Sequence, residues 1–151
     1  MTDLVTPEWK HAAVGLLINR RRNVLQVWNK KLLGWSLPGG KQDPADLVGR
    51  VPEAAIRETL RRELREETGI ALGEHRLLGV WEGTVVPGVM VHVFHVLYAM
   101  RMTLVPEWED GCPVEWASAH RLFDDAVFGS FYRGHFPVGF DHLEQVRGIT
   151  P

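Results

Sequence analysis

The feature that most constrains this chain is the run from Pro52 to Gly69, PEAAIRETLRRELREETG. Pro52 suits a first helical position, nothing from Glu53 to Thr68 breaks a helix, and Gly69 is a natural stop. Wound at about 100° per residue, Ile56, Leu60 and Leu64 form one apolar stripe that must face a core. Arg57, Arg61 and Arg65 form a neighbouring stripe turned to solvent, and Glu58 with Arg62 has the spacing of an i,i+4 ion pair. On the same wheel Glu63 and Glu67 fall beside Ile56 and Leu60, and Glu66 lies about 60° to the other side of Glu63. Three carboxylates therefore flank the buried edge of the helix rather than its wet back.

Such an arrangement opposes itself. Like charges this close raise one another's pKa, acidic groups near a helix C-terminus oppose its dipole, and partial burial adds a desolvation cost. A divalent cation removes all three objections. Hard carboxylate oxygens at i, i+3 and i+4, with no His or Cys beside them, favour Mg²⁺, or Mn²⁺, over zinc.

RELREETGI, Arg62 to Ile70, matches the second half of the Nudix hydrolase box, Gx5Ex7REUxEExGU, and GWSLPGG, Gly34 to Gly40, resembles the lead-in common in that family. The resemblance implies an α/β fold, the Nudix α/β/α sandwich with a central mixed sheet. It implies metal binding by Glu63, Glu66, Glu67 and a carbonyl at Gly40, with Arg62 orienting the loop and the glutamates. It implies hydrolysis of a diphosphate linkage in a nucleoside diphosphate joined to a group X. The chain departs from the box in one place. The stretch between Gly40 and Arg62, Lys41 to Arg61, is longer than the consensus by eight residues, and Ala54 stands where counting back from Arg62 would put the first Glu. Glu53, Glu58, Asp43 and Asp46 are the candidates to replace it.

The bounds are those of one domain, residues 1–151, with 45% hydrophobic content. A formal charge of −2 gives no global basic field to attract a nucleic-acid polymer. The single cysteine, Cys112, fits a reducing compartment, and neither a signal-peptide pattern nor a membrane-length apolar run is present. The expected setting is cytoplasmic, with a small-molecule nucleotide as partner and no membrane.

In chain order, Ala12 to Ile18 reads as a central strand, Asn19 to Asn23 as its turn and Val24 to Trp28 as the hairpin partner. A short Trp35 to Leu37 segment precedes the Gly pair. Lys41 to Val51, with its Pro and Gly, reads as a surface loop beside the site and a candidate lid. Arg76 to Val86 and Val89 to Met102 read as two long strands joined at Pro87-Gly88. In the second, His92 and His95 fall on opposite faces and cannot share one metal. Glu107 to Cys112 reads as an acidic loop, Val114 to Ala117 as a strand, Ser118 as the cap of a short helix, and His135 to Val146 as a final turn and helix.

Further site candidates come from the resemblance. In Nudix proteins the strand end near Trp28 and the basic residues after it meet the substrate, which points to Trp28, Lys30 and Lys31. The run DGCPVEW from Asp110 resembles a MutT-like segment whose loop carboxylate approaches the metal, so Asp110 joins Glu63 and Glu67 as a candidate general base, with Glu109 second. The HFP step is MutT-like too, and Phe140 stands near the position of a base-reading Asn, where it could stack on a base. A nucleoside triphosphate, modified or not, is the leading substrate, giving a nucleoside monophosphate and pyrophosphate. ADP-ribose, nucleotide sugars and dinucleoside polyphosphates are the alternatives, as is a module that senses a nucleotide without cutting it.

Overall fold

In the computed structural model, which describes residues 9–97 and 112–136 together with the backbone of 107–108, the chain enters through strand β1, Lys10–Leu16. The turn at Asn19 to Asn23 forms as expected. Its backbone closes by Asn19 N–H to Asn23 O at 3.0 Å, and the Asn19 side chain accepts from Arg21 and Asn23. The hairpin expected to follow does not extend. β1 and β2, Val24–Asn29, meet only where Ile18 faces Val24 and then part into different sheets.

The remaining elements are β3 (Gly34–Ser36), β4 (Gly39–Lys41), α1 (Pro44–Leu47), α2 (Pro52–Thr68), β5 (His75–Glu82), β6 (Val89–Val96), β7 (Glu107–Trp108), β8 (Cys112–Ala117), α3 (Ala119–Phe123) and α4 (Gly129–His135). One sheet is mixed, in the order β4-β1-β6-β5, with β1 parallel to β6 and both outer pairs antiparallel. A parallel pair needs a long crossover, and the segment containing α2 supplies it. The second sheet, β3-β2-β8-β7, is antiparallel throughout.

Two cores lie on opposite faces of these sheets. On one, Ile56, Leu60 and Leu64 of α2 pack with Ala13, Leu25, Val27, Phe94 and Val96. On the other, Leu122 of α3 and Phe131 and Tyr132 of α4 pack with Leu16, Val24 and Val93. The layering is helix, sheet, helix with one mixed sheet, as the resemblance implies, and the alternation along β6 feeds both cores. Leu60 and Leu64 are fully buried, so truncating either to Ala costs about 2–5 kcal/mol. Among the described residues no helix is long and apolar enough to cross a membrane.

Several expectations are corrected. β5 ends at Glu82, short of Val86, and residues 107–108 form a short strand against Cys112 and Pro113 instead of belonging wholly to a loop. α4 had no clear signal in the sequence, and of the helix expected over His135 to Val146 only the first two residues are described. Lys41 to Val51 is not one surface loop: Lys41 closes β4 and the short α1 is pinned to α2, leaving the stretch from Leu47 to Val51 exposed.

Candidate functional site

α2 runs as its pattern requires. Pro52 occupies the first turn, and Gly69 ends the helix at φ 77°, a left-handed conformation in which its N–H reaches the Arg65 carbonyl at 2.9 Å. Arg57, Arg61 and Arg65 are exposed, while Glu63, Glu66 and Glu67 are half-buried along the edge facing β4. The Gly39 N–H donates to Glu67 Oε2 at 3.1 Å. A Cβ on Gly40 would lie 2.6–2.7 Å from the Glu63 carboxylate, so a side chain here would displace that carboxylate.

Arg62 connects the carboxylates. Its Nη1 donates to Glu63 Oε1 at 3.0 Å and to Glu66 Oε2 at 3.1 Å. Its other face forms a two-point contact with Asp46, Nε to Oδ1 and Nη2 to Oδ2, both at 3.0 Å, and Nη2 also reaches the Lys41 carbonyl. The expected Glu58–Arg62 pair is therefore absent. Glu58 pairs with Arg61 and Arg50, because a planar guanidinium gains more from two oxygens of one buried carboxylate than from a single contact to the i−4 neighbour.

Of the four residues that could fill the place left open in the box, Asp46 is the one that Arg62 reaches. It is 2% exposed, and besides Arg62 it accepts from the Thr59 hydroxyl and the Asp43 N–H, each at 2.9 Å. The hydrogen bonds from Arg62 hold its carboxyl down at about 2, against an ordinary 3.8, and the same pairing pushes the Arg62 pKa up. Counting forward from Gly40 would have found it. Lys41 to Ala45 supply the five residues that separate Gly from Glu in the box, with Asp in place of Glu, and the eight extra residues all fall after Asp46. Glu53, by contrast, is exposed on the first turn of α2.

On the opposite side of β4 from the glutamates lies a cleft of about 180 Å³. Its walls include Val14 of β1, Leu32 and Leu37 around β3, Val86 of the β5–β6 turn, Phe128 just before α4 and Phe131 within it, with Gly39, Gly40 and Lys41 on the glutamate side. Tyr132, 3% exposed, also lines it. Its hydroxyl accepts the Leu37 N–H at 2.9 Å, and burial raises its pKa. Asn29 lines the cleft as well.

Of the other sequence candidates, Trp28 rests edge-on against Trp35 with ring centroids 5.4 Å apart and is not among the cleft residues. Lys30 and Lys31 are exposed at the β2–β3 turn. Asp110, Glu109 and Phe140 lie outside the described residues. His92 shares a 3.0 Å contact with His11, while His95 is 1% exposed with neither ring nitrogen hydrogen-bonded among the described residues. No three His, Cys, Asp or Glu side chains among the described residues already stand in a metal-ready group. Arg62 bridges Glu63 and Glu66, and Glu67 lies a helical turn on from Glu63.

A family model for the NUDIX domain matches residues 9–134. Over 114 residues the chain is 30% identical to diphosphoinositol polyphosphate phosphohydrolase 3-alpha of Homo sapiens, covering 75% of this chain and 61% of that protein. The chain thus spans about three fifths of this relative's length. Among solved structures, MutT protein from Methanosarcina mazei Go1 superposes with a TM-score of 0.62 at 23% identity, covering 93% of this chain and 99% of that one. The NUDIX domain of Shewanella oneidensis NrtR, complexed with ADP ribose, gives 0.63 at 15% identity, covering 93% and 88%. These two likenesses concern the fold.

Proposed function

The chain belongs to the Nudix hydrolase family, and on that premise we propose that it hydrolyses a diphosphate linkage in a nucleoside diphosphate joined to X, with a nucleoside triphosphate as the leading substrate. The observation that carries this reading is the juxtaposition at β4. The glutamate edge of α2 meets one side of Gly39–Gly40, and a small apolar cleft opens on the other. A diphosphate can lie over the bare Gly pair with its two ends reaching both.

A divalent cation, Mg²⁺ or Mn²⁺, fits the donor set. Glu63, Glu66, Glu67 and the Gly40 carbonyl offer only hard oxygens, and the missing Cβ of Gly40 leaves its backbone open to Glu63. When bound, the ion would offset phosphate charge and lower the pKa of a water. The protein's own groups do the rest. Arg62, anchored on Asp46, holds Glu63 and Glu66 at fixed positions. Water attacks phosphorus and the bridging oxygen leaves, while one carboxylate takes the water's proton. Glu63 is held by the Arg62 cation and Glu67 by the Gly39 N–H, and Glu63, Glu67 and Asp110 are the candidates for that base.

The cleft bears on X. Lys41 is the charged residue of its lining among the described residues, a setting that suits an uncharged ring better than a ring carrying many phosphates. The reading takes residues 1–151 as one domain acting in the cytoplasm on a small-molecule nucleotide, without polymer or membrane partners. The second reading, an ADP-ribose or nucleotide-sugar pyrophosphatase or a nucleotide-sensing module, is favoured by the ADP ribose in the Shewanella domain.

The test incubates the protein with Mg²⁺ and a panel of nucleoside triphosphates, ADP-ribose, nucleotide sugars and a diphosphoinositol polyphosphate, with Glu67→Gln in parallel. A nucleoside monophosphate and pyrophosphate from a triphosphate, lost in the variant, is the expected result. Turnover of only another substrate class, or of none with both proteins folded, refutes it.

A further inference from the structure

We propose, resting on the nucleotide reading above, that Asn29 selects the base: its amide donates to the carbonyl of a keto base, so guanine nucleotides are preferred to adenine nucleotides. The cleft's volume of about 180 Å³ lies below the roughly 300–1,000 Å³ of clefts that enclose a drug-sized ligand. It therefore suits one flat ring system, which the apolar walls would cover on both faces.

Asn29 is the uncharged side chain there with a fixed sense of hydrogen bonding, and the Lys41 ammonium is likewise a donor only. Its Oδ1 accepts the Lys31 N–H at 3.0 Å and the Leu32 N–H at 2.9 Å, and its own carbonyl accepts the Leu33 N–H at 2.7 Å. The amide cannot flip, because a flip would put NH₂ against two backbone donors. Its nitrogen has no acceptor among the described residues, so what Asn29 offers a ligand is two donor hydrogens and nothing else.

The other polar side chains of the lining are engaged or act in the same sense. The Ser36 hydroxyl is within reach of the Leu37 carbonyl at 3.3 Å, and Thr84 meets Ser130 at 3.4 Å. Tyr132 already accepts from Leu37, so its free contribution is also a proton. A donor needs an acceptor edge. Guanine presents O6 and N7 together, both acceptors, whereas adenine sets its N6 amino group beside N7. An amino group facing the locked amide leaves two donors unpaired between largely apolar walls, and that loss is what discriminates.

The experiment measures binding of GMP and AMP by calorimetry without metal, and kcat/KM for GTP and ATP with Mg²⁺, in wild type and in Asn29→Asp. The carboxylate of the variant still accepts from Lys31 and Leu32, so the turn is kept while the donor is replaced by an acceptor. The expected wild-type preference for GMP is about tenfold, falling to none or reversing in the variant. Equal affinity for GMP and AMP, no binding of either, or a preference that survives in a folded Asn29→Asp protein would overturn the proposal. Hydrolysis of GTP and ATP at equal kcat/KM with no binding preference would sink the base selection and leave the hydrolase standing. A GMP preference lost in the variant, with no triphosphate cut, would do the reverse.

Discussion

Replacing Asp46 tests how the box is completed in this chain. The Asp46 side chain is 3% exposed and the Arg62 side chain 22%, so their two-point contact is close to a buried ion pair. Removing one partner of such a pair typically costs about 3–5 kcal/mol, because the other charge is left uncompensated. Arg62 keeps Glu63 and Glu66, and the Thr59 hydroxyl keeps the Ala55 carbonyl at 3.1 Å, so Asp46→Ala should sit near the lower end, about 3 kcal/mol. Asp46→Glu restores the charge with one extra methylene and should cost less. The assay is urea unfolding at pH 7, alongside Glu53→Ala, which should change stability by less than about 0.5 kcal/mol. Asp46→Ala and Arg62→Ala should be strongly non-additive, since each removes the same contact. Acid adds a check on sign. A carboxyl held at about 2 instead of 3.8 contributes stability that is present above pH 3.8 and lost as pH falls toward 2. At about 1.4 kcal/mol per pKa unit this is about 2 kcal/mol, and Asp46→Ala should lack that part of the acid limb. A variant no less stable than Glu53→Ala, with an unchanged acid limb, would refute the assignment.

The Gly pair should separate folding from function. A Cβ on Gly39 would collide with the Ala13 carbonyl, so Gly39→Ala should lower thermal stability sharply, whereas the atoms nearest a Cβ on Gly40 belong to the movable Glu63 carboxylate, so Gly40→Ala should fold but lose at least about tenfold in Mg²⁺ affinity, read by calorimetry. Burial lowers the pKa of His95 below its ordinary 6.5, with Arg76 adding to it. The stability this neutral ring preserves is present above pH 6.5 and lost as pH falls below it, so His95→Leu should flatten the unfolding free energy between pH 7.5 and 5.5, as seen in urea titrations.

The α2 helix was legible in the sequence because it is specified locally. Its period, its Pro and Gly ends and the position of Glu63, Glu66 and Glu67 beside Ile56 and Leu60 all follow from 3.6 residues per turn. The turn at Asn19 and the two-faced alternation of β6 were legible for the same reason. What the sequence could not decide is what a residue meets across space. Arg62 had an acceptable partner in Glu58 one turn away, and only the folding of α1 onto α2 brought a buried carboxylate within reach of its guanidinium. β1 and β2 read as a hairpin because their turn is local, but the parallel pairing of β1 with β6 depends on a crossover more than 70 residues long. The cleft is assembled from β1, β2, β3, β4, the β5–β6 turn and α4, so no window of sequence contains it. Local geometry determined which groups could do chemistry, and long-range packing decided which of them stand together.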